Sequence, residues 1–189
     1  MKLNLNMTIW PLLALMATTR IHHFGSATIL PDASLAVFFL VGLYVSNRVW
    51  LAGLLVMAGL LDYLAINQFS VSDWCMSPAY VFLIPTYAVM WMAGRFCRTS
   101  ATTGKREWTM VAGLAILSAT VAFMISNASF FMFSGRYTDM SVVDYSLAVV
   151  KHIPAYVGAA LAYALLGVAV IKAITVLWQI SDSNNHEQA

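Results

Sequence analysis

Residues 108–135 read WTMVAGLAILSATVAFMISNASFFMFSG, an uncharged stretch held between Glu107 and Arg136. A bilayer's hydrocarbon core takes about 20 helical residues, so this stretch can cross it with tilt to spare or extend beyond it. It lacks the period-2 alternation of a membrane β-strand, which leaves helix. Cutting the rest of the chain at its charges exposes five more such stretches. They lie between Lys2 and Arg20, Asp32 and Arg48, Asp73 and Arg95, and Lys151 and Lys172, with one running on from Arg48 that only Asp62 interrupts. Spans are therefore expected at about 3–19, 33–47, 49–67, 77–94, 108–133 and 153–178. Residues 1–189 read as a single all-α transmembrane domain of six helices, with Ser181 to Ala189 as a short polar tail.

Composition agrees. Hydrophobic residues make up 61% of the chain and charged residues 10%, against about 45–50% and about 25% in soluble domains; mean hydropathy is +0.78. A net charge of +2, with no basic run longer than Lys105-Arg106, argues against a nucleic-acid partner and leaves the lipid bilayer as the surrounding medium. Two cysteines exclude a disulfide framework. The first stretch also reads as a signal peptide, with Ala14 and Ala17 as a weak cleavage site, and its removal would leave five spans. With six spans both termini share a side. Placing them in the cytoplasm puts Lys2, Arg48, Arg95, Arg98, Lys105, Arg106 and Lys172 inside, against Arg20, Arg136 and Lys151 outside, as the positive-inside rule favours.

This topology gathers His22, His23, Asp32, Asp73, Trp74, Cys75, Arg136, Tyr137 and His152 on the outer face, in loops at about 20–32, 67–77 and 134–152. Asp62 stands out because an ionisable group within a span is costly and usually functional. At 1.5 Å per residue from Val49 it lies roughly 20 Å up, in the outer half. It is expected either to face a polar cavity, with Arg136 or a first-loop histidine as partner, or to be a hydrogen-bonded structural carboxylate. Cys75 precedes Ser77-Pro78, which reads as an N-cap and first helical residue. A helix start favours thiolate, the nucleophilic and metal-binding form; an ordinary buried cysteine is the alternative. Cys97 falls in the inner loop as a bystander. Tyr80, Ile84, Tyr87 and Trp91 share one helix face, for a flat ligand or for packing, and Pro85 is expected to kink that helix. Pro154 reads as the N-terminal proline of the last span. The histidines and cysteines have no metal-site spacing, although a metal arriving with its equatorial ligands would need only one or two axial donors.

Three segments carry a family resemblance: Arg20-Ile21-His22-His23 leading through Leu30-Pro31, Asp62 near the end of the third span, and above all Ser72-Asp73-Trp74-Cys75-Met76-Ser77-Pro78-Ala79-Tyr80. Together they resemble the BtuM family of small bacterial vitamin B12 transporters, related to the substrate-binding S-components of energy-coupling-factor (ECF) transporters. The resemblance runs over essentially the whole chain. It implies an S-component-like six-helix bundle in the bacterial inner membrane. It also implies uptake of cobalamin or cobinamide, with Cys75 as axial ligand to cobalt and as the group that assists loss of cyanide from cyanocobalamin. His23, Asp62 and Tyr80 fall at family positions, Trp74 belongs to the cysteine motif, and Arg136 is placed near the corrinoid by its loop. Many S-components carry small residues four apart on the first helix for docking the ECF module; here Ala14 and Ala17 are three apart, which fits a transporter working without one. The competing expectations are an S-component-like subunit for another vitamin serving an ECF module, and a membrane thiol or haem protein.

Overall fold

In hydrocarbon every backbone N–H and C=O must find its partner within the protein, a demand that a helix meets by itself. A computed structural model of the chain describes residues 5–20, 31–69, 72–74, 76–100 and 103–187. It is 85% helix, with no strand among the described residues. In order the elements are α1 (Leu5–Arg20), α2 (Ser34–Tyr44), α3 (Arg48–Phe69), a 3-10 turn (Pro78–Phe82) leading into α4 (Leu83–Thr99), α5 (Lys105–Phe133), α6 (Val142–Val150) and α7 (Ile153–Glu187).

Among the described residues three helices are long and apolar enough to cross a bilayer: α3, α5 and the Ile153–Trp178 part of α7, with mean hydropathies of 2.0, 2.0 and 2.2. Only 28%, 33% and 22% of their most apolar windows are buried within the protein. Apolar surface so extensively exposed requires lipid around it, which makes the chain a multi-pass helical membrane protein.

α2 has a different role. It is 11 residues long, or about 16 Å, roughly half a bilayer's core. Every residue from Ser34 to Gly42 is buried, and α1, α3, α4, α5 and α7 all pack against it. A helix that is hydrophobic all round belongs in a core, and Val37, Phe38, Phe39, Leu40 and Val41 supply this one. Its closest neighbour is α4. A Cβ on Gly42 would strike the Trp91 carbonyl of α4, and a Cβ on Gly94 would strike the Phe39 carbonyl of α2. The two backbones touch through reciprocal glycines, as small residues allow in membrane bundles.

Several boundaries differ from the expectations for definable reasons. α2 ends at Tyr44, short of 47, because Ser46 takes a positive φ of 56° and the Asn47 side chain accepts from the Val49 N–H at 2.9 Å, capping α3. Pro78 opens its helix as expected after an extended Ser77, but the first five residues are 3-10 and the Ser77 hydroxyl makes no capping bond. Pro85 is the third residue of α4, just after the 3-10 turn gives way to the α-helix. Pro154 is the second residue of α7, and α7 stays helical to Glu187, through most of the expected tail. The expected loop at 134–152 contains α6, whose N-cap Ser141 accepts from the Asp144 N–H at 3.1 Å.

The glycine contact sets a testable threshold. Gly94→Ala is expected to lower stability by about 1–3 kcal/mol, the cost of overpacking, when unfolding is followed in detergent micelles. Gly53→Ala, which meets open space, should be neutral or gain up to about 1 kcal/mol from helix propensity.

Candidate functional site

α1 and α3 pack against each other, and a simple count sets the depth of their charged residues. Arg20 lies fifteen residues beyond Leu5 and Asp62 fourteen beyond Arg48, so both are about 21–22 Å along their helices. Two opposite charges thus meet at one level inside the bundle. Arg20 Nε donates to Asp62 Oδ1 and Nη2 to Oδ2, both at 2.7 Å, a two-pronged pair of the strong kind. Arg20 is 4% exposed and Asp62 2%, so little water screens them.

Other elements converge on this pair. Arg20 Nη1 donates to Tyr87 Oη of α4 at 2.6 Å, to Ser34 Oγ of α2 at 3.1 Å and to Asp32 Oδ2 at 3.3 Å. Tyr80 Oη, in the 3-10 turn, donates to Asp62 Oδ2 at 2.6 Å. Asp32 Oδ1 also accepts from the Ser34 N–H and hydroxyl, and Thr19 Oγ1 accepts from the Ala33 N–H at 3.1 Å. The result is one hydrogen-bonded network joining the end of α1 to the starts of α2 and α4 and to the C-terminal half of α3. It borders a cavity of about 250 Å³, whose far wall is Ser126, Asn127 and Phe130 of α5. Donors and acceptors both face that space, a mixture suited to amide or hydroxyl groups. Its volume falls below the about 300–1,000 Å³ of drug-sized ligand sites, so it admits a substituent and not a macrocycle.

A second pair joins the segment before the 3-10 turn to the end of α5. The Arg136 guanidinium, just past the end of α5, lies 4.0 Å from the Trp74 ring centroid, within cation–π range. Phe82 of the 3-10 turn stacks on Phe133 of α5 at 5.0 Å between centroids, which brings the two segments together.

The expected residues thus group as Asp62 with Tyr80, and Trp74 with Arg136. Asp62 takes Arg20 as its partner in place of Arg136, which is held on Trp74. Cys75, His22 and His23 lie outside the described residues. The expected aromatic face of α4 divides: Tyr87 and Trp91 are buried while Ile84 is 51% exposed, and Tyr80, in the preceding 3-10 turn, joins Tyr87 in lining the polar cavity. Tyr87 is committed to the core, its ring stacked on Phe38 at 4.3 Å between centroids. Cys97 is not in a loop but buried in the last turn of α4. Among the described residues no three potential metal ligands gather. Arg20 and Ser34 are members of the network that span-finding passed over, while Tyr87 was expected only as part of the α4 face; the matched depth of Arg20 and Asp62 was the available signal.

No protein-family model matches the sequence, and no curated protein matches it.

Removing one charge of a buried pair strands the other. Asp62→Asn is therefore expected to cost about 3–5 kcal/mol, and Tyr80→Phe about 1.5–3 kcal/mol for one hydrogen bond to a charged group. The double variant Arg20→Met/Asp62→Leu should lose less than the separate losses of Arg20→Met and Asp62→Leu added together. Denaturation of the wild type and these five variants in micelles measures each loss; simple additivity would show that the pair is not energetically coupled.

Proposed function

We propose that this protein takes up a corrinoid, cobalamin or its precursor cobinamide, across the bacterial inner membrane, binding it at the outer face with Cys75 as axial ligand to cobalt. The reading rests on the resemblance of Ser72–Tyr80 to the BtuM motif. One structural observation supports it: the residues flanking Cys75 are tied to different helices, Trp74 by the Arg136 guanidinium past α5 and Tyr80 by Asp62 of α3. Trp74 and Tyr80, both within the motif, are thereby each held against the bundle. In this reading the chain crosses the membrane six times, with α1, α2 and α4 completing the spans and both termini in the cytoplasm, and it works without an ECF module.

The chemistry follows from the donor. A thiolate is soft and binds cobalt well; when it takes the axial position of cyanocobalamin, cyanide leaves with its electron pair and the oxidation state of cobalt is unchanged. Trp74, Arg136 and His23 would flank the macrocycle, whose carboxamide arms match the donors and acceptors of the polar cavity. Asp62 acts there chiefly by holding Tyr80 and Arg20 in place.

The cavity volume of about 250 Å³ favours a second reading, an S-component-like subunit that delivers a smaller vitamin to an ECF module. Absorption spectra separate the two, and a Soret band would instead reveal haem. Purified protein given cyanocobalamin should show a thiolate-ligated cobalt spectrum and release cyanide. Cys75→Ser should abolish both and Cys97→Ser neither. A wild-type spectrum from Cys75→Ser would remove Cys75 as the axial ligand. In spheroplasts a membrane-impermeant maleimide should label Cys75 and spare Cys97; labelling of both would contradict the six-span arrangement.

A further inference from the structure

A second cavity, of about 400 Å³, lies between α5, α6 and the first turn of α7. Its walls are chiefly apolar, with Met124, Ala128 and Met132 from α5 facing Val142, Val149 and Val150 from α6. The polar groups in the wall are already engaged. Asn127 Nδ2 donates to the Phe123 carbonyl at 3.0 Å, Tyr145 Oη to the Asn127 carbonyl at 3.2 Å and Ser146 Oγ to the Val142 carbonyl at 2.7 Å. Such a space rewards an apolar chain and offers little to a polar ligand.

Its position narrows the occupant further. Leu117, Val121, Met124, Ala128 and Met132 recur at helical spacing on one exposed face of α5. α5 is one of the three helices apolar and long enough to span the bilayer. The groove is thus the end of a surface that lipid already covers. At its rim the turn between α6 and α7 carries exposed Lys151 and His152, set between the lining residues Val150 and Ile153. Asp144 lies at the opposite end of α6, bonded to Ser141.

We propose that this groove binds one acyl chain of a bilayer phospholipid, with the lipid phosphate at the Lys151–His152 turn. The bound chain fills the gap between α5 and α6. Asn127 borders both this groove and the polar cavity, so the lipid also supports a wall of the ligand site. This inference does not depend on which ligand that site takes.

Native mass spectrometry of the detergent-purified protein titrated with phosphatidylglycerol tests it. The wild type is expected to retain a saturable lipid adduct. Ala128→Trp and Ser146→Trp, which fill the groove from opposite walls, should lose it, whereas Leu117→Trp, on the same face of α5 but outside the groove, should keep it. Phosphatidylglycerol with a diazirine on its acyl chain gives a readout on the wild type alone. Crosslinks should map to residues 124–132 and 149–153 and be competed away by unlabelled lipid. Absence of a saturable adduct, retention of it by a folded groove-filling variant, crosslinks spread evenly over α5 and α7, or a dimer mass in place of the lipid adduct would each overturn the proposal.

Discussion

A guanidinium and a carboxylate, held together where water scarcely reaches, organise the upper part of this bundle. Taking either charge out of water costs several kcal/mol, and mutual attraction offsets that only when geometry is good and the remaining donors and acceptors are filled. Here both conditions hold. Arg20 grips Asp62 with two prongs and turns its third nitrogen to Tyr87, Ser34 and Asp32, while Tyr80 fills a remaining acceptor site of Asp62. The partners come from three segments, the start of α2, the C-terminal half of α3 and the 3-10 turn with the α4 it enters, so the need to satisfy one arginine fixes how α1, α2, α3 and the entrance to α4 meet.

That requirement bears on specificity more than on stability. A well-packed apolar substitute for a buried ion pair is often as stable. The directional hydrogen bonds, however, admit one register of α1 against α3, where a purely apolar interface between two such smooth helices would admit several. The short α2 works in the same sense. Enclosed by its neighbours, it needs no polar face.

The long helices were legible because hydrocarbon imposes a simple rule on composition. α5 was expected from Trp108 to Phe133 and runs from Lys105 to Phe133. The ion pair was half legible: Asp62 stood out inside an apolar run, but Arg20 closed one and so looked like a boundary. Cutting a sequence at its charges treats every charge as being in water, and a 16-residue helix ends before it gets there. α6 escaped because nine residues are too few for a periodic signal, although Ser141 with Asp144 three residues later carried a helix-start signature. On the α4 face Tyr80 and Tyr87 do meet at one cavity, but Ile84 between them is exposed, since spacing alone does not tell which neighbours cover a helix face. The pairing of Trp74 with Arg136 joins residues distant in the chain, and no local pattern encodes it.

The glycine contact between α2 and α4 has a mechanical consequence. Side chains that interlock can change rotamer and let two helices slide, but backbone against backbone has no such freedom. Gly42 and Gly94 therefore act as a weld, and α2 and α4 form a stiff spindle on which Tyr87 and Phe38 are already stacked. Any rearrangement of the bundle that keeps the glycine contact has to carry that spindle as one body.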